Sequence, residues 1–283
     1  MRSGTTWLYG QLRTHPELYL PDKKEVHFFD RNYTRGLGWY EKFFPSPEEA
    51  GAFRGIGEIT PRYICDPQVP HRIHEHLPRC RFIAILRNPV DRAYSHYTRA
   101  LRAGNYAHGF QEYLDRRPDV FDRGLYSMQL ERYLTYFPRE NFLILIFERV
   151  MSNPERALQQ AAEFLAVDPR GFDGHRMKRK MNASYPPRMS SLYTSARRTE
   201  QFLQSKNLKW LLKVLDNVKI TKGAKKLFEL VGSKVPLPRM DASIRAKLFA
   251  RYEADIAALE RLLGEDLSIW KGTFEKSGAP EGT

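Results

Sequence analysis

The sequence has few cysteines and no long apolar segment. Its two cysteines among 283 residues, Cys65 and Cys80, are too few for a disulfide framework or a cysteine-rich zinc module, so we expect ordinary reduced thiols. The longest apolar runs, Phe82–Leu86 and Phe142–Phe147, have the length of β-strands and are too short to cross a bilayer. These absences argue against a disulfide-rich scaffold and against a transmembrane segment in this sequence.

Two familiar motifs are also missing. No Gly-Lys-Ser or Gly-Lys-Thr triplet occurs, so the chain has no Walker A loop and a nucleotide kinase is a poor hypothesis. No apolar segment follows Met1, as it would in a signal peptide, and we therefore expect a cytoplasmic protein. Hydrophobic residues make up 42% of the chain and aromatic residues 13%, which is enough for a packed core and excludes a wholly disordered chain.

Positive charge is abundant and unevenly spread. The net charge is +13, and residues 171–240 alone contain 16 Lys or Arg against 4 Asp or Glu. Such a basic segment suits a polyanion, which includes nucleic acid, an anionic glycan, acidic lipid headgroups and a phosphorylated cofactor. A solvated helical surface explains the same composition equally well, so charge alone does not select a partner.

The order of apolar patterns predicts an α/β fold. Strand patterns at residues 81–86 and 141–147 alternate with helical patterns, and this alternation favours a parallel sheet with helices on both faces. A weaker strand pattern covers residues 56–59. The predicted helices are Thr5–Leu12, Val90–Arg102, Tyr126–Phe137, a helix from Asn153 to about Leu165, and Ala242–Leu263.

Three short motifs carry candidate chemistry. The first is Arg2-Ser3-Gly4-Thr5-Thr6-Trp7, a small, hydroxyl-rich turn before a helix, where backbone N–H groups and the positive end of the helix dipole favour a phosphate. An ordinary helix start with an arginine nearby remains the alternative at this stage.

The second motif begins at Arg87, at the predicted end of a strand. Asn88 suits a helix N-cap, and the following helix brings Ser95 round two turns later. An arginine at the carboxyl end of a parallel strand lies where α/β proteins bind ligands, and Arg with Ser suits a phosphate monoester. The alternative interpretation is that Arg87 is a surface arginine and Ser95 an ordinary helix serine.

The third motif, residues 23–30, places Glu25 between lysines and a pair of phenylalanines. A carboxylate in such a partly desolvated setting suits a general base. An exposed charged turn that leads into a buried aromatic pair explains the third motif as well.

Three histidines beside Glu75 suggest a metal site, but a solvated helix face is the better interpretation; they are His71, His74 and His76.

Together these segments resemble the sulfotransferase family that uses 3′-phosphoadenosine 5′-phosphosulfate (PAPS). Residues 2–7 resemble its 5′-phosphosulfate loop, and residues 87–95 resemble its 3′-phosphate segment. Residues 24–30 resemble the stretch with the catalytic glutamate in the heparan sulfate (glycosaminoglycan) sulfotransferase branch, and residues 57–63 its Glu-Lys-Thr-Pro-x-Tyr segment. Shorter similarities lie at residues 36–40, 123–126 and 137–140, at Glu148, and at 267–270, where bacterial members are similar.

The resemblance implies a P-loop-like three-layer α/β fold, with a parallel sheet flanked by helices and a basic helical C-terminal region. It covers residues 1–190 and resumes at about 240–271. We therefore expect one sulfotransferase domain over residues 1–283, made of a core (1–190), a basic helical extension (191–239), a C-terminal helix (240–271) and a tail (272–283).

The resemblance also implies roles for individual residues. Glu25 would be the general base, and Arg2 would neutralise charge on the leaving phosphate oxygen. No metal is implied. The cofactor-binding set would be Arg2, Ser3, Gly4, Thr5, Thr6, Arg87, Ser95, Lys178, Lys180, Asn182 and Ser184, and the substrate-binding set Lys24, His27, Glu58 and Tyr63.

The chain departs from the family pattern at three places. It begins inside the first motif, so we expect the sheet to lack the strand that precedes this loop. Arg2 stands where many members carry Lys, and Ile59 stands at the Lys position of the Glu-Lys-Thr-Pro segment. The expected acceptor is a hydroxyl, or an amine, of a carbohydrate or small molecule. The alternatives are a non-catalytic sulfotransferase-like protein and a polyanion- or nucleic-acid-binding protein that uses residues 171–240.

Overall fold

The structure is a computed structural model that describes residues 2–102, 106, 108–172 and 240–271. These residues fall into two compact units. The first contains residues 2–93, 119–172 and 242–271, and the second contains residues 94–118 as far as they are described, with residues 240–241. The predicted domain boundaries at residues 190 and 239 lie outside the described residues.

Short helices and short strands alternate along the described chain. In chain order they are α1 (Thr5–Leu12), β1 (Leu18–Tyr19), α2 (Phe28–Arg31), α3 (Leu37–Glu41), α4 (Pro47–Ala50), β2 (Gly55–Ile56), α5 (Val69–His76), β3 (Phe82–Leu86), α6 (Pro89–Arg102), α7 (Phe110–Arg116), α8 (Pro118–Asp122), α9 (Tyr126–Leu134), β4 (Phe142–Ile146), α10 (Phe147–Ser152), α11 (Pro154–Leu165) and α12 (Ala242–Leu263). Within these residues, no helix combines the length and the hydropathy needed to cross a bilayer.

The strands pair in parallel, as the alternation predicts. β3 pairs with β4 in register from Phe82 opposite Phe142 to Leu86 opposite Ile146, and β1 pairs with β2. Among the described residues these are two separate two-stranded sheets. Because parallel strands end at the same edge, the residues that follow β3 and β4 are neighbours, and this places Arg87 close to Phe147.

Two apolar clusters fill the first unit. The first cluster joins α1, through Trp7, Leu8 and Leu12, to β3, β4 and α11. The second cluster contains Phe28, Phe29 and Tyr40, against which Trp39, Phe43 and Phe44 pack.

A local signal predicts the start of α6, whereas the predicted length of one strand was wrong. The Asn88 side chain accepts hydrogen bonds from the N–H groups of Val90 (3.0 Å) and Asp91 (3.3 Å), which is the predicted N-cap. The predicted strand at residues 56–59 was too long, because β2 ends at Ile56. Beyond it the Ile59 carbonyl accepts instead from the N–H of Glu25, at 3.1 Å.

The C-terminal helix α12 packs on α9 and explains a glycine of the Arg-Gly-Leu-Tyr segment. A Cβ atom on Gly124 would lie 2.7 Å from the Tyr252 ring, so a larger residue would displace that buried tyrosine. Asp255 of α12 accepts from the N–H of Tyr126 at 2.7 Å, at the start of α9. The two segments that resemble the family on either side of residues 173–239 therefore belong to one packed unit.

The second unit is built on aromatic contacts between the C-terminal part of α6 and α7. The rings of Tyr94 and Tyr97 lie 5.1 and 5.3 Å from Phe110, and Tyr97 also packs against Tyr113 at 5.4 Å. The Tyr97 hydroxyl donates to the His108 carbonyl at 2.9 Å.

Candidate active site

The N-terminal loop, residues 2–6, adopts the conformation that anion-binding turns use. Arg2 (φ 71°) and Gly4 (φ 88°) are left-handed, and Gly4 directly precedes α1 with no side chain capping the helix. The Gly4 carbonyl accepts from the N–H groups of Trp7 and Leu8. The first N–H groups of a helix have no partner inside it, and no partner for those of Thr5 and Thr6 lies among the described residues, so an anion can bind them. We call residues 2–6 the phosphate loop.

Arg87 joins the phosphate loop to the end of β3. Its Nη1 donates to the carbonyl of Arg2 at 3.1 Å, and its guanidinium lies 4.7 Å from the centre of the Phe147 ring. Burial lowers the pKa of Arg87 below its ordinary value. Its Nε is buried, and no hydrogen-bond acceptor for it occurs among the described residues. A buried donor without an acceptor is costly, and an anionic ligand would satisfy it.

The strand ends beside Arg87 are fixed by a buried polar network. The Asn88 N–H donates to Glu148 at 3.0 Å, and the Asn88 side-chain amide donates to the Trp270 carbonyl at 2.9 Å. The Trp270 indole in turn donates to the second oxygen of Glu148, at 2.9 Å. Because Trp270 is fully buried, this C-terminal turn is part of the support for Arg87.

A second left-handed loop carries the candidate base. In the glutamate loop, defined as residues 24–30, Glu25 has φ 65° and His27 has φ 57°. The Lys24 ammonium lies 2.9 Å from Glu25 Oε1, and His27 Nε2 lies 3.5 Å from Oε2. Partial burial alone raises the pKa of Glu25, but Lys24 and His27 outweigh it, and the pKa lies below its ordinary value. Glu25 is therefore a carboxylate at neutral pH.

His27 lies between two carboxylates. Its Nδ1 lies 2.9 Å from Asp30 Oδ2, and the Asp30 side chain is only 1% exposed. Arg62 Nε lies 3.4 Å from the same Asp30 oxygen, which places a cation beside that buried charge. The imidazole is thus held on one side by Asp30 and faces Glu25 on the other.

Glu58 lies beside the glutamate loop. Its carboxylate accepts hydrogen bonds from Tyr63 (2.7 Å), Thr60 (2.5 Å) and Tyr40 (3.2 Å). Burial raises the pKa of Glu58, although these donors act against the rise. The Glu58 and Tyr63 groups expected to bind acceptor are therefore engaged within the protein, and acceptor binding by either residue stays a prediction.

The two loops belong to one region. The Tyr9 hydroxyl of α1 donates to the carbonyls of Pro21 (2.7 Å) and Asp22 (3.0 Å), immediately before the glutamate loop. Ile59, whose carbonyl binds the N–H of Glu25, also packs against the apolar cluster that contains Trp7 of α1.

Comparison with known proteins decides the family. A family model described as "Sulfotransferase domain" matches residues 1–213. The chain belongs to the sulfotransferase family. The human heparan sulfate glucosamine 3-O-sulfotransferase 6 is 34% identical over 183 residues, which cover 62% of this chain and 52% of that protein. The mouse bifunctional heparan sulfate N-deacetylase/N-sulfotransferase 4 is 33% identical over 190 residues, 59% of this chain and 21% of that protein.

A solved structure shares the fold. The crystal structure of a sulfotransferase from Alicyclobacillus acidocaldarius superposes with a TM-score of 0.66 at 23% identity, and the match covers 95% of each chain. The P-loop-like α/β fold predicted from the motifs is thereby confirmed. The chain spans about half the length, or less, of the curated relatives named above.

The structure brings some of the predicted site residues together, while others lie elsewhere in the fold or outside the described residues. Arg87 contacts the phosphate loop, and Lys24 and His27 lie beside Glu25, while the binding roles of these residues stay predictions. Ser95 lies on α6, in the second unit. The remaining predicted nucleotide contacts, Lys178, Lys180, Asn182 and Ser184, lie outside the described residues.

Sequence reasoning missed the group that orients His27. Asp30 stood within the third motif without a role, although it follows His27 by three residues, a spacing at which side chains on a helical turn meet. Two histidines of α5 contact aromatic side chains. His76 Nε2 lies 2.7 Å from the Tyr33 hydroxyl, and His74 packs on Phe137. No group of three potential metal ligands occurs in the described part of the chain.

Proposed function

We propose that this sulfotransferase moves a sulfuryl group from PAPS to a hydroxyl of a carbohydrate acceptor, with Glu25 as general base. The observation that carries the proposal is the contact of Arg87 with the Arg2 carbonyl, which joins the two segments expected to hold the two phosphates of the donor. The relatives named as heparan sulfate sulfotransferases support a carbohydrate acceptor.

The donor side fits a nucleotide with two anionic ends. The N–H groups at the start of α1 and the positive end of the helix dipole favour the 5′-phosphosulfate. Arg87 has a buried Nε that needs an acceptor, which suits a 3′-phosphate. PAPS would supply a sulfuryl group already bonded to a phosphate leaving group.

Glu25 suits the acceptor side. Its lowered pKa keeps it ionised, and it is 38% exposed, so an acceptor hydroxyl can reach it. Glu25 takes the hydroxyl proton while the acceptor oxygen bonds to sulfur and the bond from sulfur to the phosphate oxygen breaks. Arg2 then compensates the charge that develops on the departing phosphate.

His27 and Lys24 orient that base. Lys24 holds one oxygen of Glu25 and His27 faces the other, while Asp30 fixes the ring of His27 from behind. A carboxylate with restricted rotation loses less freedom when the acceptor binds, which is the advantage of a preorganised site.

The test is transfer of labelled sulfate from PAPS to a pool of neutral and anionic oligosaccharides. Adenosine 5′-phosphosulfate, which lacks the 3′-phosphate, is the matched control donor. We expect labelled oligosaccharide with PAPS and much less with the control donor. No transfer to any acceptor, or equal transfer from both donors, would contradict the proposal.

A further inference from the structure

The glutamate loop rests on one partly buried carboxylate. Three donors converge on Glu58: the hydroxyls of Tyr63 (2.7 Å), Tyr40 (3.2 Å) and Thr60 (2.5 Å). With these three donors around it, Glu58 serves as a hydrogen-bond acceptor, as a carboxylate does.

The Tyr63 hydroxyl connects Glu58 to the loop backbone. It accepts from the N–H groups of Phe28 (2.8 Å) and Phe29 (3.2 Å), and it donates to Glu58. A hydroxyl has one donor and two acceptor positions, so every hydrogen-bonding position of Tyr63 is used. Its proton therefore points to Glu58, and its lone pairs hold the first N–H groups of α2.

Thr60 makes a second connection of the same kind. Its hydroxyl donates to Glu58 and accepts from the N–H of His27, at 3.4 Å. The neighbouring Ile59 carbonyl accepts from the N–H of Glu25 at 3.1 Å. The backbone N–H groups of Glu25, His27, Phe28 and Phe29 thus all bind the segment that follows Glu58.

These contacts hold a backbone that is otherwise unfavourable. Glu25 and His27 are left-handed without being glycine, a conformation in which the Cβ atom crowds the backbone. Such residues persist only where the surroundings determine their conformation. The surroundings here are the contacts of Glu58, Thr60 and Tyr63.

We propose that Glu58 is a positioning residue that acts through Tyr63 and Thr60, and that this network sets the orientation of Glu25 and His27 for proton transfer. The inference rests on the proposed role of Glu25 as base. It assigns Glu58 and Tyr63 to the support of the loop and away from acceptor binding. Loss of the network should therefore lower kcat and leave the KM for acceptor and the affinity for nucleotide nearly unchanged.

Two tyrosines provide a matched pair for the test. Tyr40 and Tyr63 both donate to the same oxygen of Glu58, but only the Tyr63 hydroxyl also accepts from loop N–H groups. Tyr63→Phe should lower kcat by about 10- to 100-fold, the loss expected when a catalytic group is displaced by about 1 Å. Tyr40→Phe removes a donor to the same oxygen without touching the loop N–H groups, and it should keep kcat within about threefold, the size of a small orientation change.

Steady-state kinetics and affinity for 3′-phosphoadenosine 5′-phosphate separate the outcomes. A raised acceptor KM with unchanged kcat in Tyr63→Phe would mean that Tyr63 binds the acceptor, and this would overturn the proposal. Equal kcat losses in both variants would also overturn it, since they would reflect stability alone. If Tyr63→Phe fails to fold, Thr60→Val replaces it, because Thr60 makes the same kind of two-sided contact.

A readout without turnover keeps the two proposals distinguishable. Hydrogen exchange of the Phe28 and Phe29 amides should speed up in Tyr63→Phe and stay unchanged in Tyr40→Phe. A wild-type protein that transfers no sulfate would refute the proposed function, whereas unchanged exchange in Tyr63→Phe would refute the network itself.

Discussion

The phosphate loop and the glutamate loop use the same backbone conformation for different purposes. Both contain left-handed residues, Arg2 and Gly4 in the first and Glu25 and His27 in the second. Among the described residues, the first N–H groups of α1 beside the phosphate loop have no partner, whereas the N–H groups of the glutamate loop bind Thr60, Tyr63 and the Ile59 carbonyl.

The difference indicates a division of labour. A loop whose N–H donors have no partner in the protein forms those hydrogen bonds with the ligand, and it therefore contributes to binding. A loop whose donors are satisfied by the protein is preorganised, and it contributes to the reaction by holding a side chain in place. Apart from Arg2, whose charge acts on the departing phosphate, changes in the first loop should mainly affect nucleotide affinity, and changes in the second should mainly affect turnover.

The largest effect should follow from Glu25→Gln, which keeps the size of the side chain and removes proton acceptance. Turnover should fall by about 10²- to 10⁴-fold, the usual contribution of a positioned base. Affinity for 3′-phosphoadenosine 5′-phosphate should stay within experimental error. The measurement is kcat with labelled PAPS beside calorimetry, and Glu41→Gln, an exposed glutamate of α3, is the control.

Arg87→Ala should weaken binding on the other side of the comparison. Loss of a charged donor to the 3′-phosphate should cost about 1.5–3 kcal/mol, or about 10- to 150-fold in affinity for 3′-phosphoadenosine 5′-phosphate. Affinity for 5′-AMP should change little. Arg81→Ala, at the opposite end of β3, is the control. Equal losses of affinity for both nucleotides in Arg87→Ala would show that Arg87 does not bind the 3′-phosphate.

Gly4→Ala, just before α1, and Gly10→Ala, inside it, should change stability in opposite directions. Gly4 is left-handed, so alanine there should destabilise the protein by about 1–2 kcal/mol and weaken nucleotide binding. Gly10 lies inside the helix with open space around its Cβ position, so alanine should stabilise by about 0.5–1 kcal/mol. Urea unfolding with and without nucleotide provides the measurement. A neutral Gly4→Ala would show that the turn is not needed.

The smallest effect concerns pH. A base must be deprotonated, so a lowered pKa of Glu25 keeps kcat/KM constant down to below the ordinary range of a glutamate. Lys24→Met removes the main cause of the lowering and should move the acid limb of the profile to higher pH. Lys23→Met is the control, because Lys23 lies over the Phe43 ring instead. Identical acid limbs in both variants would mean that Lys24 does not tune the base.

The sequence predicted features that depend on near neighbours. The bounds of α1, the Asn88 cap and the strand β3 follow from residues a few positions apart, and all were confirmed. The pairing of β1 with β2 involves only two residues per strand, too few to leave a pattern in the chain.

The support of the glutamate loop could not be predicted for a related reason. Tyr63 meets Phe28 across 35 positions of sequence, and Asn88 meets Trp270 across 182. Such pairs become neighbours only when the core packs. The motif resemblance indicated which segments matter, but it did not distinguish a residue that touches substrate from one that holds the loop.

The most direct test of the division of labour is the double variant Glu25→Gln/Arg87→Ala, measured by kcat/KM against both single variants. The two side chains share no partner among the described residues, so their free-energy losses should add within about 0.5 kcal/mol. A coupling energy well above about 1 kcal/mol would show that the two loops act as one unit, and it would contradict the account.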